Sequence, residues 1–305
     1  MTAPTEVPAL PEGFTARPLT LDDAQGVVEA VAAEELVDLG EVDMTLEDLL
    51  SDWQRPSYDI TTSTLGVFDD DGRLIAYGDL AGPDHAYAAV RPDHQGLGIG
   101  TAIAAWIQAT ARTRGSTRIG SQVPEGSAAD RLMADLGYRI RWTAWDLELP
   151  EGVEIAAYPL PDGFVLRDAT PADHAAAWTL IEDAFLEWSD RPRHPIDDFA
   201  SYVWARPGFE PWNLRLLENA SGELVGATHV YLSGASAYVA RIAVRRDHRG
   251  RRLARSMLVD AFGRAREHGA VRCYLSTDTR AGARAVYEAV GMVVSSTWVN
   301  RAIDL

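Results

Sequence analysis

Residues 86–107 read AYAAV-RPDHQGLGIG-TAIAAWI. An extended apolar run leads into a loop carrying Gly96, Gly98 and Gly100. The residues that follow place Ile99, Ile103, Trp106, Ile107 and Thr110 at the spacing of one buried helix face. Arg114-Gly115 then closes that helix with a cation and a C-terminal glycine. In the order strand, loop, helix, the loop's N–H groups lie at a helix N-terminus, where the dipole favours an anion. The stretch therefore predicts a phosphate cradle, and the spacing decides which kind. A Walker loop ends in Gly-Lys-Ser/Thr, and Gly100-Thr101-Ala102 lacks the lysine. A dinucleotide fingerprint is spaced G-x-G-x-x-G on the first strand of its domain. Here the spacing is G-x-G-x-G and several elements come first. What fits is Q/R-x-x-G-x-G/A, starting at Gln95.

The same stretch occurs a second time. AVRPDHQG (Ala89–Gly96) returns as AVRRDHRG (Ala243–Gly250), 154 residues later. Upstream, PEGFTARPLTLDD from Pro11 matches PDGFVLRDATPAD from Pro161, and DGRLIAYGDL matches SGELVGATHV, both 150 residues apart. Four residues are therefore added around Ser233–Ala237. The offset of 154 persists from DLGY at Asp135 to AVGM at Ala289. Collinear matches at a period of one whole domain mean a duplicated domain rather than a solenoid repeat. The Pro- and Gly-rich stretch LPEGVEIAAYPLPDG marks the join, giving domains 1–152 and 153–305.

Each copy predicts the same order. An opening strand (Thr15–Pro18; Val165–Asp168) precedes Thr20 or Thr170 as helix N-cap, with acidic residues in the first turn. Helical segments follow (AQGVVEAVAAEEL; HAAAWTLIEDAFLEW). A hairpin then turns at Asp71-Gly72 or Ser221-Gly222. After it come the strand, glycine loop and long helix, whose second version buries Leu253, Met257, Leu258, Ala261, Phe262 and Ala265 and stops at His268-Gly269. A further strand, a shorter helix and a closing strand pair complete each copy. An early hairpin and late βαβ crossovers make a mixed α/β (α+β) sheet flanked by helices.

The lead-ins VRPDHQG and VRRDHRG, together with the loop spacing, resemble the GNAT superfamily of N-acetyltransferases. So does STDTRAGARAVYEAVGM (Ser276–Met292), which is similar to that family's N-x-x-A-x-x-x-Y-x-x-x-G-F segment, with Met292 in place of Phe. The resemblance covers nearly the whole chain as two tandem GNAT-type domains. Each is then a mixed, mostly antiparallel sheet. It implies acetyl-CoA as cosubstrate and direct transfer to the amine of a small molecule, without a metal. In the first copy it implies that Val90, Gln95, Gly96, Leu97, Gly98, Ile99, Gly100 and Thr101 hold the cosubstrate. In the second it implies Ile242, Ala243, Val244, Arg249, Gly250, Arg251, Arg252, Leu253 and Ala254, with the backbone of 242–244 pairing with the pantetheine and polarising the acetyl carbonyl. Tyr287 stands at the family's tyrosine, whose hydroxyl gives the departing thiolate its proton. The alternative for Tyr287 is a core aromatic beside Ala283 and Val290.

The copies diverge where chemistry is expected. Position 133, 154 residues before Tyr287, is methionine, which cannot donate a proton. Arg252 stands where the first copy has Gly98, narrowing the backbone approach and adding a cation beside Arg249 and Arg251. The second copy is therefore read as catalytic and the first as a CoA-binding or structural partner. A non-catalytic CoA sensor or scaffold is the competing reading, and a thioesterase-like or O-acylating variant a third. No residue near 236–244 is an evident base; Asp278 and Glu182 are carboxylates without supporting spacing. Trp178, Phe185, Trp188, Phe199, Tyr202, Trp204, Phe209 and Trp212 either line an acceptor site or pack the core.

The bulk composition bounds the rest. With 305 residues, 47% hydrophobic and 24% charged, the chain is an ordinary globular protein. A net charge of −17 argues against nucleic acid and anionic membranes as partners. The single cysteine, Cys273, excludes an intramolecular disulfide and reads as a buried structural thiol. There is no His/Cys ligand cluster for a metal. The N-terminus does not read as a signal peptide and no run is long enough to span a membrane, so a cytoplasmic monomer or homodimer is expected.

Overall fold

The computed structural model describes residues 9–150, 152–153, 156–189 and 191–305. Part of the sequence join (Glu151, Glu154, Ile155) and the first eight residues lie outside this set. The chain forms two compact units. One is built from residues up to Thr143 with Thr297–Leu305, the other from Ala144–Ser296.

The first unit runs β1 (Thr15–Arg17), α1 (Ala24–Asp38), α2 (Leu46–Trp53), α3 (Ile60–Ser63), β2 (Thr64–Phe68), β3 (Leu74–Asp79), β4 (Tyr87–Val90), α4 (Ile99–Thr113), β5 (Arg118–Pro124), α5 (Ala128–Asp135) and the start of β6 (Arg139–Leu149). Thr20 opens the helical region through a capping box with Asp23, as its position predicts. β1–β4 form an antiparallel meander. Every residue of β2 and β3 is buried, because helices cover both faces. On one face α1 and α2 bury Val27, Ala30, Leu49 and Trp53 against Phe68, Leu74 and Tyr77. On the other, α4 buries Ile99, Ile103, Trp106 and Ile107 against Leu65, Val67 and Ile75. Gly78 permits that closeness, since a Cβ there would lie 2.6 Å from Ile103 Cγ2.

The second unit repeats the order with β7 (Phe164–Asp168), α6 (His174–Leu186), α7 (Ile196–Tyr202), β8 (Leu214–Asn219), β9 (Leu224–Ser233), β10 (Ser236–Val244), α8 (Leu253–Glu267), β11 (Arg272–Asp278), α9 (Arg284–Glu288) and the start of β12 (Val293–Asp304). The residues added near Ser233 lengthen the hairpin: β9 and β10 have 10 and 9 residues where β3 and β4 have 6 and 4. Cys273 is buried, as its sequence setting implies, and burial pushes its thiol pKa up.

The closing strands differ from the sequence reading. Instead of a strand pair, each copy ends in one long strand. Ala144–Leu149 of β6 pairs antiparallel with β11 in the second unit, and Trp298–Asp304 of β12 pairs antiparallel with β5 in the first. The compact units therefore differ from the sequence halves 1–152 and 153–305 by an exchange of end strands. Each such strand satisfies a sheet edge that would otherwise stay open. No helix among the described residues is long and apolar enough to cross a membrane.

Candidate active site

Each unit contains a parallel strand pair that is pulled apart beside a glycine loop. In the second unit β10 pairs with β11 only over Ser236–Tyr238 and Arg272–Tyr274. A bulge at Ala240, between Val239 and Arg241, then turns β10 away. Ile242, Ala243 and Val244 stay paired to β9 on one side, and their other edge no longer meets β11. In the first unit the chain just before β4 meets β5 in an isolated parallel bridge, His85 to Gly120. Beyond it opens a cleft of about 460 Å³.

That cleft gathers Val90, Gln95, Gly96, Gly98, Gly100 and Thr101, six of the first copy's eight expected binding residues. Leu97 is not among its lining residues and is about half exposed, while Ile99 turns fully into the core, so both could serve only through their backbone. Gly96 and Gly98 have φ of +78° and +86°, and Gly98 is the N-cap of α4. The first turn of the helix leaves N–H groups without intrahelical partners there. A Cβ on either glycine would meet nothing within 4 Å, so the space before these N–H groups is open.

The second loop has the same backbone. Arg252 takes φ +63° as N-cap of α8, the one non-glycine residue with positive φ among those described. Substitution of the glycine has thus not changed the turn. Arg249 donates through Nε to the Val244 carbonyl (2.9 Å) and forks onto Glu187 (2.8 and 2.9 Å). Arg251 and Arg252 are exposed beside the loop.

Tyr287 lies on α9, buried against Leu147, Leu275, Val290 and Met292, with its hydroxyl hydrogen-bonded to Thr277 on β11. Burial pushes its pKa up to about 12, against the pull of Thr277, so the hydroxyl keeps its proton at neutral pH. The ring therefore packs as a core aromatic, while its hydroxyl is hydrogen-bonded on the strand that splays. In the first unit Met133 lines the cleft.

The two candidate carboxylate bases are structurally engaged. Asp278 accepts from the Arg280 and Ala281 N–H groups (2.8 and 3.3 Å) and pairs with the Arg280 guanidinium. Glu182 is buried and accepts an Arg191 fork (2.7 and 2.9 Å) and the His194 N–H (3.0 Å). Burial works against its charge, but the bonds from His194 and Arg191 hold its pKa well below the usual carboxylate range. Among the aromatics, Trp212 is buried in the core around α8 and β11, and Phe199 in a second cluster against which Trp178, Phe185, Tyr202, Trp204 and Phe209 pack partly buried. One cleft residue has no sequence signal at all. Glu34 of α1 reaches the first unit's cleft, within 3.5 Å of the Gln95 amide.

A strand pair that splays beside a helix-capping loop of N–H donors is the frame of an acyltransferase fold, and both units contain it. The donor set fits a phosphate-bearing chain: anion donors at the loop, then a strand edge for the amides of an extended arm. The chain belongs to the Acetyltransferase (GNAT) family, whose sequence model matches residues 32–138 and 175–292. Members of this family are acyltransferases that use acyl-CoA.

A mycothiol acetyltransferase of Frankia casuarinae is 32% identical over 54% of this chain, and the chain spans about half (49%) of that relative's length. A GCN5-related N-acetyltransferase from Sphaerobacter thermophilus superposes with a TM-score of 0.79 at 26% identity, covering 97% of both chains. A tandem GNAT protein from the clavulanic acid biosynthesis pathway superposes with a TM-score of 0.72 at 18% identity, over 95% of this chain and 98% of the other. The tandem architecture is thus similar to that of mycothiol synthase.

Proposed function

We propose that this protein moves an acetyl group from acetyl-CoA directly to a primary amine of a small molecule, and that the second unit carries out the transfer. When bound, acetyl-CoA supplies the activated acyl carbon. The observation that carries the reading is Tyr287, a protonated hydroxyl on Thr277 at the splayed strand, where the first unit has Met133. In this reading the N–H groups of 250–254 take the pyrophosphate, with Arg251 and Arg252 adding charge. The freed edge of Ile242–Val244 pairs with the pantetheine arm and polarises the carbonyl. Tyr287 gives its proton to the leaving thiolate. A carboxylate already fixed by an arginine is a poor acceptor for the amine's proton. Glu182 and Asp278 therefore serve as scaffold, and the amine loses its proton to water.

Tyr287→Phe tests the assignment. The expected result is a fall in kcat of about 10²–10³-fold with the KM for acetyl-CoA little changed, because the ring packing is kept and only the donor is lost. Acyl transfer at the wild-type rate would remove Tyr287 from the mechanism. The alternative, a CoA-binding protein without turnover, draws on Met133 and Arg252. It predicts CoA binding with no acyl transfer across a library of amines.

A further inference from the structure

The two loops hold their strands in one way with different residues. In the second unit the side chain five residues after Val244 is Arg249, which bonds the Val244 carbonyl and neutralises Glu187. In the first unit the equivalent Gln95 bonds the Val90 carbonyl (3.1 Å) and reaches Glu34 (3.5 Å), but carries no charge. Among the described residues no cation forms an ion pair with Glu34. Glu35 and Asp38 share its helix and Tyr77 of β3 lies within its field. Across the cleft α5 contributes Asp135 and Arg131, and Arg131 acts on Asp38. Besides the distant Gln95 amide, the Val90 N–H on the β4 edge favours the Glu34 charge.

We infer that the first unit's cleft is a proton-linked site for the pantetheine arm of a CoA thioester, in which Glu34 takes up a proton as the arm seats. This rests on the acyl-CoA reading above. An arm pairing with the edge of β4 takes the Val90 N–H for its own carbonyl and displaces water from the 460 Å³ cleft. Both changes disfavour the carboxylate. Glu34 already titrates near 8 in the free protein, raised first by burial and then by Asp38. Filling the cleft raises it further. The sign follows: affinity is full below about pH 8 and falls by up to about tenfold per pH unit above it. In the second unit the carboxylate beside the loop, Glu187, is instead paired with the Arg249 guanidinium.

The test is calorimetric titration of the full chain with desulfo-CoA, which has no thiol to titrate, in two buffers of different ionisation enthalpy between pH 7 and 9.5. Wild type should take up a proton on binding, with uptake largest just above pH 8. Glu34→Gln should abolish that uptake and flatten the affinity. Gln95→Arg, which supplies the cation found in the second unit, should abolish it too; circular dichroism verifies that both variants fold. Binding with the same uptake in all three proteins, or with none in wild type, overturns this inference and leaves the acyl-CoA reading intact. Absence of binding to any of them overturns both.

Discussion

Arg252 holds a backbone conformation that its counterpart Gly98 adopts at no steric cost, and this can be measured. Its φ of +63° is left-handed, which costs an L-residue roughly 1–2 kcal/mol. Arg252→Ala removes the exposed charge but keeps the strained backbone, so stability should change by less than about 0.5 kcal/mol. Arg252→Gly also relieves the strain, offset by roughly 0.5–1 kcal/mol for the greater freedom of glycine in the unfolded chain. The glycine variant should therefore be more stable than the alanine variant by about 0.5–1 kcal/mol. At an ordinary helical position the order is reversed, with alanine ahead by about 1 kcal/mol. The comparison thus tests a sign as well as a size. Urea unfolding followed by tryptophan fluorescence gives the midpoints. If Arg252→Gly unfolds at lower urea than Arg252→Ala, the left-handed cap is not the native conformation. CoA binding by the same pair separates the roles. Both should weaken by the same factor if the cation alone matters, and that factor should shrink in high salt.

Two further predictions concern buried carboxylates outside the clefts. Glu182 has a depressed pKa in the folded state, so its stabilisation is present above the unfolded value near pH 4.3 and is lost as pH falls below it. Glu182→Gln should cost the second unit about 3 kcal/mol at pH 7 and remove that acid sensitivity in pH-dependent denaturation. Asp79 behaves oppositely. Burial raises its pKa to about 6 despite hydrogen bonds from Tyr58 and Trp53 Nε1 (3.2 Å). Its contribution is complete below about pH 4 and lost as pH rises through 6. This costs the first unit on the order of 2–3 kcal/mol by pH 7. That fall should be absent in Asp79→Asn; if it persists, Asp79 is not its source.

The elements could be read from the sequence because each local signal agrees with its packing. The apolar face from Ile99 to Thr110 and its copy from Leu253 to Ala265 are buried as their spacing requires. Thr20 and Thr170 both build capping boxes. The glycine spacing likewise placed both loops at helix N-termini. What could not be read was pairing between distant segments. The last strand of each copy has the right composition for a strand, but nothing in it encodes which edge it joins. That is decided by which edge lacks a neighbour, and β12 finding β5 is a property of the assembled sheets. Glu34 was hidden for a related reason. It lies 61 residues from Gln95 on a helix with no periodic signal, and only the fold brings the two together. The clue available was a contrast, glutamine at 95 against arginine at 249, and its meaning depended on the carboxylate that each one faces.

Three paired positions now separate the copies: Gln95 and Arg249, Gly98 and Arg252, Met133 and Tyr287. The backbone is the same at all three, so the duplicated frame has been kept while its side chains diverged. The second unit has added charge at the loop and a hydroxyl at the splay; the first has an uncompensated carboxylate and a thioether in an open cleft. In the second unit Arg249 forks onto Glu187, so the carboxylate beside that loop has a cationic partner. A lone carboxylate that titrates near 8 makes a site whose occupancy follows pH, which suits a binding role. Under the proposed function, the first unit is read as a CoA-binding partner and the second as the unit that transfers the acyl group. A Met133→Tyr exchange probes how far the first unit is from chemistry. The expected outcome in a Tyr287→Phe background is no transfer activity, measured as release of the free CoA thiol.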